Sequence, residues 1–273
     1  MSLQVDQTKV SQPGKRLKIS QLQSAHLCVM IYGDNGEGKT HLAFTMPGRK
    51  LFINAHGNLE TLLKFDKPPY SIAKDGPNGW EAVDWPRNWQ DQKLMFLDPY
   101  LKEFDVIIGD NFTGAYRYNL EEVLRGANRD NPEIQDYGLV SERLRILGTK
   151  FRELRDEKQK HVIVVCHTMA KQDEETQTLI AGPSVPGQVP AHITSMFPEL
   201  IFMKNQGAKR VAYLAKMGVW PAATRVLPST KYENPVLAEM YYSWLNEREQ
   251  ELAKEVIAKF KQPSTQSTQG GSR

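Results

Sequence analysis

The sequence predicts an α/β protein: a mostly parallel wound sheet with one antiparallel strand pair late in the chain. Three features point there. Short apolar runs alternate with helical patterns between residues 20 and 260. The early runs are continuously apolar, as strands covered on both faces must be. Two later runs, ELIFMK and RVAYLAK, are separated only by NQGA, a spacing suited to a hairpin.

Taken in order, the first strand is His26 to Tyr32, and it runs into the glycine-rich stretch GDNGEGKT. A short helix from Lys39 to about Met46 follows, closed by Pro47 and Gly48. Leu51 to Ala55 form a second strand, and Asn58 opens a small helix, NLETLLKF. Lys67 to Gln90 is rich in Pro, Gly and Trp and is expected to be a surface excursion, with YSIA its one strand-like run. A helix around Gln92 to Lys102 leads to the strand Phe104 to Asp110. Helices over about Ala115 to Arg125 and Asp136 to Glu157 flank the polar loop GANRDNPEI, and His161 to His167 is a fourth buried strand. The segment TQTLIAG, a helix near Val189 to Phe197, the late strand pair and an amphipathic helix over about Pro235 to Phe260 complete the chain.

The 273 residues divide into a basic flexible segment (1–20), a single domain (21–260) and a polar tail (261–273). With 35 Lys+Arg against 32 Asp+Glu the net charge is +3, so nucleic-acid contact would need a local basic surface. The two cysteines, Cys28 and Cys166, sit far apart in apolar runs and are expected as free thiols in a reducing cytoplasm. No signal-peptide core, no run of about 18 apolar residues and no solenoid repeat is present. The six histidines are scattered, and no zinc-spaced cluster is visible.

Gly33, Gly38, Lys39 and Thr40 complete the pattern G-x-x-x-x-G-K-[ST] across Gly33, Asp34, Asn35, Gly36, Glu37, Gly38, Lys39 and Thr40, with His41 next. Glycines there let backbone N–H groups turn inward around phosphates, the lysine reaches the β and γ phosphates, and the threonine hydroxyl can ligate Mg²⁺. A second acid is needed at a nearby strand end, and VIIGD supplies Asp110.

With these motifs in place, GDNGEGKT, LFINAH, DVIIGDN, IQDYGLVSERLRIL, VIVVCHT and AYLAKMG resemble phage-encoded RecA-like nucleotide-binding proteins, small AAA-type ATPases of recombination and single-strand annealing. The resemblance spans about Leu27 to Arg225 and implies a RecA-like core, ATP with Mg²⁺, and single-stranded DNA or a recombination partner. In that family the strand after the phosphate-loop helix ends in a water-polarising glutamate. Here His56 stands at that place, so hydrolysis is expected to be slow unless Glu60 substitutes. His167 stands where the family carries a polar residue able to sense the γ-phosphate.

The resemblance also points DNA to two loops, around Arg125 to Arg129 and over Thr168 to Pro190. The second holds Lys171 but also Asp173, Glu174 and Glu175. Arg117 between Tyr116 and Tyr118 suits phosphate contact with base stacking, though a solvated helix face explains it as well. Trp80, Trp85 and Trp89 either stack bases or pin their loop to the core. A homo-oligomer would let Lys204, Lys209, Lys216 or Arg225 reach a neighbour's nucleotide. The competing functions are a nucleotide-dependent assembly module with little turnover and a P-loop kinase of a small acceptor.

Overall fold

The computed structural model describes residues 26–55, 60–172, 177–185, 193, 195–227 and 229–261. The N-terminal segment 1–20, His56, the cap Asn58, the acidic loop residues Asp173, Glu174 and Glu175, most of the helix expected near Val189, and the tail from 262 onward lie outside them.

Among the described residues nine strands form the sheet: β1 (Cys28–Gly33), β2 (Lys50–Asn54), β3 (Trp80–Asp84), β4 (Val106–Asp110), β5 (His161–Gln172), β6 (Leu179–Pro183), β7 (Glu199–Gln206), β8 (Lys209–Tyr213) and β9 (Lys231–Glu233). Their order is β3-β2-β4-β5-β1-β7-β8-β9, with β6 paired to the outer half of β5. The strands from β3 to β7 run parallel, whereas β7, β8 and β9 pair antiparallel, so both parts of the expected sheet are present.

Alternation along the strands divides the core into two layers. Val29, Ile31, Phe52, Ile108, Ile163 and Val165 face one side. There they meet α1 (Lys39–Phe44), α2 (Glu60–Leu63), α6 (Leu237–Met240) and α7 (Glu247–Phe260). Cys28, Met30, Tyr32, Ile107, Val162, Val164 and Cys166 face the other, under α4 (Phe112–Gly126) and α5 (Ile134–Asp156). Both cysteines are buried free thiols, and burial pushes Cys28 up to about 12 and Cys166 up to about 11.

Four local expectations are corrected. Tyr70 to Ala73 is not a strand. The edge strand of that region is Trp80–Asp84, parallel to β2, because Ser71 takes a positive φ of 47° and Tyr70 closes turns onto Lys67. The helix expected over Gln92 to Lys102 is the short α3 (Trp89–Leu94) followed by two 3₁₀ turns, since Pro99 cannot continue it. The single long helix from Pro235 is broken into α6, a 3₁₀ turn and α7. Asn246 and Glu249 form a capping box that restarts the helix. β5 continues five residues past His167, because β6 supplies those residues with a partner.

Trp80 and Trp85 are buried, which assigns them to pinning the excursion. Trp89 lies under the guanidinium of Arg143 and the amine of Lys93. No helix among the described residues is long and apolar enough to cross a membrane.

Candidate nucleotide site

β1 delivers the phosphate loop at the C-terminal end of the sheet, and two of its glycines are dictated by space. A Cβ on Gly33 would lie 2.6 Å from the backbone oxygen of Met203 on β7, so only glycine lets the two strands approach there. Gly38 has φ 87°, the left-handed region, and a Cβ on it would meet the side chain of Arg210 at 2.7 Å.

Lys39 is buried, 6% exposed, and its amine donates to the carbonyl of Asp34 at 2.7 Å. Burial lowers its pKa, partly opposed by the negative charge of Asp110. β4 lies one strand away from β1, with β5 between them. Even so, the Thr40 hydroxyl donates to a carboxylate oxygen of Asp110 at 2.6 Å, so the two expected Mg²⁺ residues converge across that gap. A hydroxyl paired with a carboxylate is a hard oxygen donor set of the kind Mg²⁺ selects, and the residues present therefore fit the ion.

β5 brings His167 into register with Gly33. Its Nε2 lies 3.0 Å from the side-chain nitrogen of Asn111, the residue after Asp110. Thr168 donates its hydroxyl to the Asp34 carboxylate, closing the mouth of the loop. On the opposite side the β7–β8 hairpin grips the loop: the Asn205 backbone N–H bonds the Glu37 carboxylate, and its side chain donates to the Gly36 carbonyl at 3.4 Å.

Gly38, Lys39, Thr40, Asp110, Asn111, His167 and Thr168 line one cleft of about 770 Å³ that also includes Thr61, Lys64, Arg117 and Arg210. Glu60 stands at the first turn of α2, exposed, and is not among the residues lining the cleft. Arg210 and Lys64 were not singled out from sequence. The signal was the hairpin itself, since pairing ELIFMK with RVAYLAK sets Arg210 opposite Asn205, beside the phosphate loop.

His41 is held by a 2.9 Å contact to the Tyr70 hydroxyl and edge-on contacts to Tyr70 and Phe260. Burial, followed by the charges of Arg210 and Lys64, pushes it down to about 3. Because the unfolded chain takes up this proton near pH 6.5, stability is lost progressively as pH falls from there toward 3. The half-buried His26, also lowered by partial burial, adds to the same loss. Urea unfolding at pH 7.5 and 5.0 is expected to show a drop of about 1–2 kcal/mol. His41→Gln should shrink it, and an equal drop in both proteins would contradict the assignment.

His26, His161 and Glu249 meet at the opposite end of the sheet, a cluster that scattered sequence positions did not foretell. The Leu27 N–H donates to Nδ1 of His161 at 3.1 Å, which places the imidazole proton on Nε2, 3.0 Å from Glu249. That nitrogen is therefore a donor with no lone pair to offer a cation. Burial favours the neutral Glu249, but hydrogen bonds from His161 and the Asn246 backbone N–H outweigh it and hold the carboxyl below its usual value.

A phosphate loop, a strand-end acid one strand removed and a mostly parallel sheet between helical layers define a P-loop NTPase fold. The family model described as AAA domain matches residues 25–226, and the chain belongs to that family. Nucleotide binding or hydrolysis is the general activity of such a domain, usually with Mg²⁺. No functionally curated protein matches the chain.

Proposed function

We propose that this protein binds ATP with Mg²⁺ in the cleft and hydrolyses it as a RecA-like ATPase of phage-type DNA recombination, single-strand annealing or replication. The observation that carries the nucleotide part is the meeting of Thr40 and Asp110 beside a buried Lys39. The resemblance of GDNGEGKT, IQDYGLVSERLRIL and VIVVCHT to the phage proteins supports the recombination part. When bound, Mg²⁺ would supply Lewis-acid stabilisation of charge on the phosphates. Lys39 contributes a positive charge at the loop, Thr40 and Asp110 would hold the ion, and Asn111 fixes the His167 ring at the cleft wall. Arg117, exposed at the cleft rim, and Lys171, on the arm formed by β5 and β6, offer contacts to single-stranded DNA.

A second reading, a nucleotide-dependent assembly module with little turnover, is favoured by the cleft lining. Among the described residues that line it, Asp110 is the sole carboxylate, so no glutamate stands ready as general base. Steady-state turnover with saturating ATP and Mg²⁺, with and without single-stranded DNA, separates the two. The ATPase reading expects measurable turnover that rises with DNA and collapses by about 100-fold in Asp110→Asn. Tight ATP binding without turnover under any condition would establish the assembly module instead.

A further inference from the structure

Among the described residues, the half-buried arginines follow one pattern with one departure. Arg49 pairs with Glu81, Arg129 with Glu133 and Asp136, Arg143 with Glu122, and Arg155 with Asp156. Arg210 is equally half-buried, yet no carboxylate of the described residues lies within ion-pair distance of it. A half-buried guanidinium without a counter-ion is well placed to take an anion.

Its backbone is pinned by two hydrogen bonds with Asn234. The Arg210 N–H donates to the Asn234 side chain at 3.1 Å, and the Asn234 N–H donates to the Arg210 carbonyl at 2.7 Å. The side chain then runs across Gly38, where its Cδ and Nε stand 2.7 and 2.8 Å from the position a Cβ would take. Arg210 thus lines the phosphate cleft and at the same time walls off a second cleft of about 360 Å³ bounded by Pro69, Tyr70, Asn234 and Pro235.

The side of approach tells which part of a nucleotide it meets. β4 and β5 bring Asp110 and His167 to the loop from one flank of β1, and β7–β8 brings Arg210 from the other. In a phosphate loop the lysine and the Mg²⁺ residues serve the β and γ phosphates, which puts the terminal phosphate on the Asp110 flank. The charge of Arg210 is felt by His41 and Lys64, while at Lys39 burial acts first and is opposed by the charges of Asp110, Cys166, Asp34 and Glu37.

We infer that Arg210, assisted by Lys64, binds the α-phosphate end of the nucleotide, with the nucleoside directed into the cleft beyond it. The inference rests on the nucleotide-site reading above and adds a nucleotide-binding residue from the same chain. It makes a distinctive demand: since ATP and ADP share the α-phosphate, Arg210 must serve both alike.

Calorimetric titration of the full chain with ATP and with ADP, each with Mg²⁺, tests this in wild type, Arg210→Ala and Arg210→Lys. Loss of a charge-assisted bidentate contact is expected to weaken both nucleotides by the same factor, about 10- to 100-fold. Lysine, which keeps the charge without the fork, should recover part of it. Unchanged affinity for both nucleotides in either variant would overturn the inference, and so would a loss confined to ATP, which would move Arg210 to the terminal phosphate. Should Arg210→Ala fail to fold, Arg210→Lys alone decides by the same criterion. Wild-type protein that binds neither nucleotide would instead overturn the nucleotide site itself, and this inference with it.

Discussion

Replacing Lys39 with alanine is expected to weaken nucleotide binding by about 100-fold or more, while the fold survives. The amine sits in the cleft and bonds only the carbonyl of Asp34 among its described partners, so its charge serves the ligand more than the core. Each charge-assisted hydrogen bond it gives a phosphate is worth about 1.5–3 kcal/mol, and two of them account for the loss. Calorimetry on a variant whose circular dichroism matches wild type checks this. Affinity within a few-fold of wild type would remove the phosphate-loop assignment.

The second large effect concerns the scaffold. Phe151 on α5 is fully buried, with its ring 4.9 Å from Phe96 edge-on and 5.9 Å from Trp85. It also packs under Gly109 on β4, where a Cβ would come within 3.0 Å of the phenylalanine ring. Phe151→Ala should therefore cost about 3–5 kcal/mol in denaturant unfolding, since so tightly filled a site collapses poorly around a cavity. Leu139→Ala, on the exposed part of the same helix, should stay within about 0.5 kcal/mol. Comparable losses in the two variants would show that α5 is not anchored through Phe151.

Strands covered on both faces were readable because their residues are uniformly apolar: VIIGD and HVIVVCH could hardly be anything else. The phosphate loop was readable because its chemistry restricts the residue types so tightly. β3 was not, since WEAVD is an edge strand whose outer residues are acidic, and its alternation is too short to stand above a region rich in Pro and Gly. The hairpin pairing could place Arg210, but its role was hidden for a different reason. Its meaning comes from lacking an acidic partner among the described residues, and only the folded arrangement, which pairs every other half-buried arginine among them, makes that lack apparent.

The two ends of the sheet carry a consequence for self-association. At one end β3 presents Glu81 and Asp84, with Glu81 tied to Arg49 and the Tyr100 hydroxyl. At the other, β9 is three residues long and two of them, Lys231 and Glu233, are charged. Short charged rims of this kind make poor templates for a further strand. Backbone zipping between copies is therefore disfavoured at these two rims, so a contact made there would be joined by side chains, where geometry and salt can regulate it.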